Sequence, residues 1–313
     1  MAKSKEPPPP SGVYAALATP RNPESVEADA AALLDYIDAV VRCGVDGLVL
    51  FGSTGEFVHF DVQERMRVLS LAIKRSRVPV LVNVSHSTLA GAVELADNAI
   101  YAEAAGVLLM TPYFYRYEDA QLLEFYLQFA REIAETRVYL YNLPPFTNPI
   151  SGSLAIRLLS SGAFAGIKDS SGDWKLFETL RELRDRVPFT LLTGSESIYL
   201  RSRLGGADGI VSGVAAALPE LLVAIERALR SHDCERASRL NARLEEFTAW
   251  IQKFPPTVGI KQAAVARGWK LNEFAFPLDD DTQAELAGFH HWLQGWLPAV
   301  LSECSDAGVK VVG

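Results

Sequence analysis

The chain is poor in the residues that build several common kinds of functional centre. Of its 313 residues only three are cysteine: Cys43, Cys234 and Cys304. They are widely spaced, with no CxxC pair, which excludes a disulfide framework and suits reduced thiols in a cytoplasmic protein. The five histidines, His59, His86, His232, His290 and His291, give no HxH or HExxH spacing. His290 and His291 are adjacent on an expected helix and face different ways, so no metal site is expected. Positive charge is also short, since 30 Lys and Arg stand against 38 Asp and Glu for a net charge of −8. That balance argues against nucleic acid or an anionic membrane as a partner. No apolar run reaches the roughly 18 residues of a membrane-spanning helix. The turn after the first expected strand, Thr19-Pro20-Arg21-Asn22-Pro23, has no glycine. An open doubly wound sheet carries a phosphate-binding glycine turn there, so that fold is the runner-up.

What the chain has is apolar residues, 49% of the total, in short runs of alternating kind. That is enough for one large core, and alternating β/α domains of this size stay single. Residues 1–11, with Pro7 to Pro10, read as a disordered N-terminal arm and not as a signal peptide. Strands are expected at Gly12–Thr19, Gly47–Phe51, Pro79–Val84, Gly106–Met110, Val138–Tyr141, Ala165–Lys168, Phe189–Thr193 and Gly209–Ser212. Helical patterns fill the intervals. Asp61 opens one of them with Glu64 three residues on, a capping box, and Leu89–Ala105 forms another. Eight strands, each followed by a helix, predict a closed (β/α)8 TIM barrel over 12–217. Beyond Leu218 only helical periodicity remains. Residues 218–303 are therefore read as the last barrel helix plus a C-terminal helical extension of the same unit, and 304–313 as a tail.

Two of the apolar runs end in reactive residues. Val138-Tyr139-Leu140-Tyr141 is followed by Asn142-Leu143-Pro144-Pro145, and Ala165-Gly166-Ile167-Lys168 by Asp169-Ser170-Ser171-Gly172-Asp173. A short helical stretch separates them, so the strands run parallel and end at one rim. Tyr141 and Lys168 should then face one pocket. An ammonium at the end of a buried strand costs free energy unless solvated or paired, and desolvation favours the neutral amine. A neutral amine attacks ketones to form a Schiff base, and a neighbouring phenol can carry the proton that carbon–carbon cleavage requires. The plainer reading is that Lys168 reaches solvent and Tyr141 only packs.

Barrel chemistry sits on the loops after the strands. The most unusual of these is Gly52-Ser53-Thr54-Gly55-Glu56, two glycines around two hydroxyls. Such a turn can aim N–H groups and hydroxyls at a carboxylate or phosphate, or simply cap the next helix. Glu56 is read as structural. Gly205-Gly206-Ala207-Asp208-Gly209 precedes its strand, which places it at the wrong rim and makes it a tight turn. Ser212-Gly213, after that strand, is at the correct rim. Lys261 also ends a Gly-Ile-Lys triplet, but a helix continues from it, so it is not the imine lysine.

Taken together these loops resemble the dihydrodipicolinate synthase/N-acetylneuraminate lyase family of Schiff-base barrels. The matching pieces are GSTGE at 52–56, TPYFY at 111–115, YNLP at 141–144, GIKDSSGD at 166–173, TGSE at 193–196 and GGADGIVSG at 205–213. The resemblance implies that Lys168 forms an imine with pyruvate or another 2-oxo acid and that no separate cofactor is needed. It implies that Tyr141 relays protons and that Ser53 and Thr54 bind the oxo-acid carboxylate. Gly55, Tyr115, Phe146, Gly194 and Ser212 are expected to complete the substrate pocket, and a homodimer or homotetramer is expected. Two positions depart from the synthases. Phe114 stands where they have a relay tyrosine, and Phe146 where they have an arginine for the second substrate's carboxylate. A phenyl ring does neither job. The loops are nearer to aldolases for 2-keto-3-deoxy sugar acids or 4-hydroxy-2-oxoglutarate. A dihydrodipicolinate synthase, a dehydratase, and a catalytically silent acid-binding barrel are the alternatives.

Overall fold

The computed structural model describes residues 8–25, 27–133 and 136–305. Eight short apolar segments form parallel strands: β1 Gly12–Ala16, β2 Gly47–Leu50, β3 Val80–Asn83, β4 Gly106–Met110, β5 Val138–Asn142, β6 Gly166–Asp169, β7 Thr190–Thr193 and β8 Gly209–Ser212. Each pairs with its sequence neighbours, and β8 closes on β1, giving a barrel in the order β1 to β8. Nearly every strand residue is buried because side chains alternate between the barrel interior and the surrounding helices. The entry into β2 shows how sequence fits this packing. A Cβ at Gly47 would lie 2.2 Å from the Tyr14 ring, so only glycine leaves room for that ring.

The ring of helices is α1 Ala30–Arg42, α2 Val62–Arg75, α3 Leu89–Tyr101, α4 Asp119–Glu132, α5 Gly152–Ser160, α6 Trp174–Leu183, α7 Tyr199–Leu204 and α8 Pro219–Arg230. Side-chain caps start several of them: Asp29, Asp61, Thr88, Ser151 and Asp173 each accept from a backbone N–H of the first turn. The expected box at Asp61 is only half formed. Asp61 accepts from Glu64 N, while the Glu64 carboxylate accepts from Ala28 N at 2.5 Å, tying α2 to the loop before α1. α3 stops at Tyr101, not Ala105, because Glu103 takes a positive φ of 64° and turns the chain into β4. β1 is shorter than the expected Gly12–Thr19. Beyond Ala16 the chain leaves the ladder, and Thr19 Oγ1 donates to Gly55 O at 2.8 Å.

The extension consists of α9 Cys234–Ile251, α10 Val258–Val265 and α11 Asp280–Cys304. Phe247, Trp250, Phe289, Trp292 and Trp296 form its aromatic seam, with Trp292 and Trp296 stacked at 4.6 Å. Between α10 and α11, residues 266–279 are not helical. The expected arm lies outside the described residues up to residue 7, and the expected tail from residue 306 onward. Cys304 itself is the buried last residue of α11.

Candidate active site

The register of β5 and β6 sets the centre of the site. Tyr141 is level with Lys168, and Asn142 with Asp169. Lys168 Nζ lies 3.8 Å from the centroid of the Tyr141 ring. Both side chains are buried, at 3% and 1% exposure. Lys168 therefore does not reach solvent. Three neighbours hold this corner. The Asp169 carboxylate accepts from Asn142 Nδ2 at 2.7 Å and from Ser171 Oγ at 2.8 Å, and Gly194 N donates to Asp169 O at 2.7 Å. Burial pushes the Asp169 carboxyl above its ordinary range, against those hydrogen bonds. A Cβ at Gly194 would stand 2.8 Å from Lys168 Cε and 2.0 Å from Ser170 Oγ, so the lysine needs glycine there.

The GSTGE turn meets this corner from β2. Ser53 Oγ is 3.2 Å from Tyr141 Oη. Burial alone would raise the Tyr141 phenol, but the charge and hydrogen bond of Lys168, helped by Ser53, bring it below the ordinary tyrosine value. The turn is braced from below. Phe51 takes a positive φ of 54°, and its carbonyl accepts from Asn83 Nδ2 at 2.7 Å. Ser85 Oγ donates to Asn83 Oδ1 at 2.5 Å and accepts from Met110 N at 2.8 Å, which links β2, β3 and β4. Thr54 is buried, and a Cβ at Gly213 would come within 2.8 Å of its hydroxyl. Ser212, at the end of β8, donates to Glu196 Oε1 at 2.6 Å.

A cavity of about 460 Å³ opens over the turn. Its barrel wall includes Ser53, Thr54, Phe57, Met110, Tyr113, Leu143 and Phe146, and its far wall Ile260, Phe274 and Phe276. Lys168, Tyr141, Gly194 and Ser212 are not in that wall, and Ser53 connects the cavity to the pair. Tyr115 is not in the wall either. It is 66% exposed, edge-on to Phe114 at 5.0 Å, and Tyr113 takes the cavity position. Several residues here escape sequence reasoning. The Asn83–Ser85 brace carries one usable signal, a polar residue closing an apolar strand, which is also the signal of Lys168. The Ser170 hydroxyl lies beside Lys168, buried and without a hydrogen-bond partner, and nothing in the sequence sets it apart from Ser171. Among the described residues no group of three His, Cys, Asp or Glu side chains could hold a metal ion.

A parallel eightfold barrel with a buried amine, a phenol and a hydroxyl turn at its C-terminal rim fits a barrel enzyme with its active site at that rim. The comparisons agree. The model of the "Dihydrodipicolinate synthetase family" matches residues 9–294, and the chain belongs to that family. It is similar to an uncharacterised DapA-like lyase of Halobacterium salinarum, 33% identical over 272 residues, which are 84% of this chain and 87% of that protein. It is also similar to the Escherichia coli protein named "Probable 2-dehydro-3-deoxy-D-pentonate aldolase YjhH", 31% identical over 86% of this chain and 93% of that protein. Among solved structures it resembles YagE of Escherichia coli K12 in complex with pyruvate, with a TM-score of 0.85 and 27% identity over 92% of this chain and 98% of that one. The protein is a carbon–carbon lyase of this family.

Proposed function

We propose that the protein is a class I aldolase that cleaves a 2-oxo-4-hydroxy acid into pyruvate and an aldehyde, or joins the two. The Lys168 amine adds to the C2 carbonyl, and water leaves as the imine forms. The protonated imine withdraws electrons from the C3–C4 bond. Tyr141 takes the proton of the C4 hydroxyl, the bond breaks, and the aldehyde departs. The remaining enamine gains a proton at C3, and hydrolysis frees pyruvate and the amine. Ser53 and Thr54 hold the carboxylate, and the electron sink is the imine itself, so no further cofactor enters. Phe146 lines the cavity where a second carboxylate would need a cation, which disfavours dihydrodipicolinate synthesis.

The observation that carries this reading is the buried Lys168 amine 3.8 Å from the Tyr141 ring, whose hydroxyl meets Ser53 at 3.2 Å. The likeness to relatives named for 2-dehydro-3-deoxy sugar acids supports a 2-keto-3-deoxy sugar acid or 4-hydroxy-2-oxoglutarate as substrate, and the pyruvate complex of YagE supports pyruvate as the common half. The protein acts in the cytoplasm as a homodimer or homotetramer. No described helix is long and apolar enough to cross a membrane. The test is a panel of 2-keto-3-deoxy acids, 4-hydroxy-2-oxoglutarate and aldehydes with pyruvate release or consumption as the readout. Turnover is expected with the keto-deoxy acids. Preferential condensation of pyruvate with aspartate semialdehyde, or dehydration without pyruvate release, would replace this reading by synthase or hydro-lyase chemistry.

A further inference from the structure

Among the described residues Lys261 is the one lysine besides Lys168 that is buried, at 0% exposure, and it lies in the C-terminal extension. Its ammonium donates to Glu56 Oε2 and, at 2.9 Å, to Glu273 O. Glu56 is the last residue of the GSTGE turn and has a positive φ of 52°. Its other carboxylate oxygen accepts from Thr257 Oγ1 at 3.1 Å, at the start of α10, and Arg21 Nε stands 3.8 Å from Oε2. α10 also comes near the turn two residues earlier, at Thr54. The space a Gly213 Cβ would take is bounded by Thr54 Oγ1 at 2.8 Å and Ile260 Cδ1 at 3.2 Å. A single ammonium thus ties together the hydroxyl turn, the helix against it and the 266–279 segment that forms the far wall of the cavity.

A buried ion pair is weak evidence for stability, because desolvation offsets most of the attraction. What a buried, hydrogen-bonded pair does supply is fixed geometry. The turn it fixes has an unfavourable backbone conformation at both ends, with Phe51 and Glu56 at positive φ. The brace from Asn83 holds the first end, and Lys261 holds the second.

We infer that Glu56 and Lys261 are positioning residues for the substrate carboxylate: the extension locks the Ser53–Thr54 hydroxyls in their binding geometry through this pair. The inference rests on the reading that those hydroxyls hold the carboxylate of an oxo acid bound to Lys168. The experiment is borohydride trapping of pyruvate on the full-length protein across a range of pyruvate concentrations, for wild type, Lys261→Met and the double variant Glu56→Gln/Lys261→Met, with melting temperature measured in parallel. Lys261→Met leaves a buried carboxylate short of its main cation and lowers the melting temperature. The double variant removes both charges and regains stability. In both variants the half-saturating pyruvate concentration rises by about 10- to 100-fold, the scale of a small misplacement of binding groups, while the trapped fraction at saturation stays at one label on Lys168. A pair with a purely structural role moves the melting temperature and leaves half-saturation at the wild-type value, and that result in the double variant overturns the inference. If Lys261→Met does not fold, the double variant decides alone. Absence of trapping in the wild type defeats the underlying imine reading, and the inference with it.

Discussion

Tyr141 is the residue on which opposing influences meet. It is fully enclosed, which favours the neutral phenol, yet Lys168 and Ser53 both favour the phenolate and outweigh burial. The sign follows directly. Below its pKa the phenol is neutral and can only donate to a base; above it the phenolate accepts, as bond cleavage requires. With the pKa lowered, the phenolate becomes available at a lower pH than for a free tyrosine. A difference titration by ultraviolet absorbance, wild type minus Tyr141→Phe, should show one tyrosine ionising below the ordinary value. Ser53→Ala should move that step upward, since it removes one of the lowering interactions. A step at or above the ordinary value would contradict this electrostatic account. Tyr141→Phe keeps the amine and the shape of the pocket, so turnover should fall by roughly 10²- to 10⁴-fold, the usual scale for one acid–base group. Slow imine formation should persist.

At the scale of elements, the strand ends carry the chemistry and their spacing is tight. β6 and β7 are so close at Gly194 that a methyl group has no room between Lys168 Cε and Ser170 Oγ. Gly194→Ala should therefore destabilise the fold by about 1–3 kcal/mol, the range for overpacking, and should slow imine formation by displacing the lysine. Denaturant unfolding together with trapping rates checks both, and an unaffected trapping rate would show that the amine does not depend on this fit. Much of this architecture was legible in the sequence. The eight apolar runs, the parallel pairing of β5 with β6 and the position of Lys168 at a strand end all follow from local pattern and the crossover rule. What was not legible has long-range causes. Glu64 serves Ala28 and not its own helix cap. Glu56 and Lys261 are 205 residues apart, so no periodicity announces their pairing. The sequence showed Lys261 as a residue in a helix of the extension, which is where it lies, but not that the residue would be buried against the hydroxyl turn. The non-helical segment 266–279 also escaped, because helical periodicity flanks it on both sides, while its own Phe274, Phe276 and Leu278 fall at every second position and line a cavity.

At the scale of the whole molecule, the active rim carries an aromatic group that the described residues leave exposed. Phe114 is 88% exposed with a positive φ of 83°, and Tyr115 and Tyr117 are exposed beside it. A phenylalanine held in that backbone conformation and this far in solvent keeps only the edge-on Tyr115 ring as a contact. The barrel is large enough to be stable alone, so an exposed aromatic loop at the rim points to contact with another subunit. Sedimentation at micromolar concentration should find a dimer or tetramer, and Phe114→Asp should shift it toward smaller species. A wild-type protein that sediments as a monomer would defeat this expectation and leave the imine chemistry untouched.

The central claim is that Lys168 is the amine that forms the covalent intermediate. Borohydride added in the presence of pyruvate should reduce the imine and fix the three carbons of the ligand to the chain. Peptide mapping should place that mass on Lys168 and leave Lys253 and Lys261 unmodified. Lys168→Arg should abolish the label, because a guanidinium stays protonated and does not attack a ketone. A label on any other lysine, or no label at all in the folded wild-type protein, would contradict the mechanism whatever the barrel around it looks like.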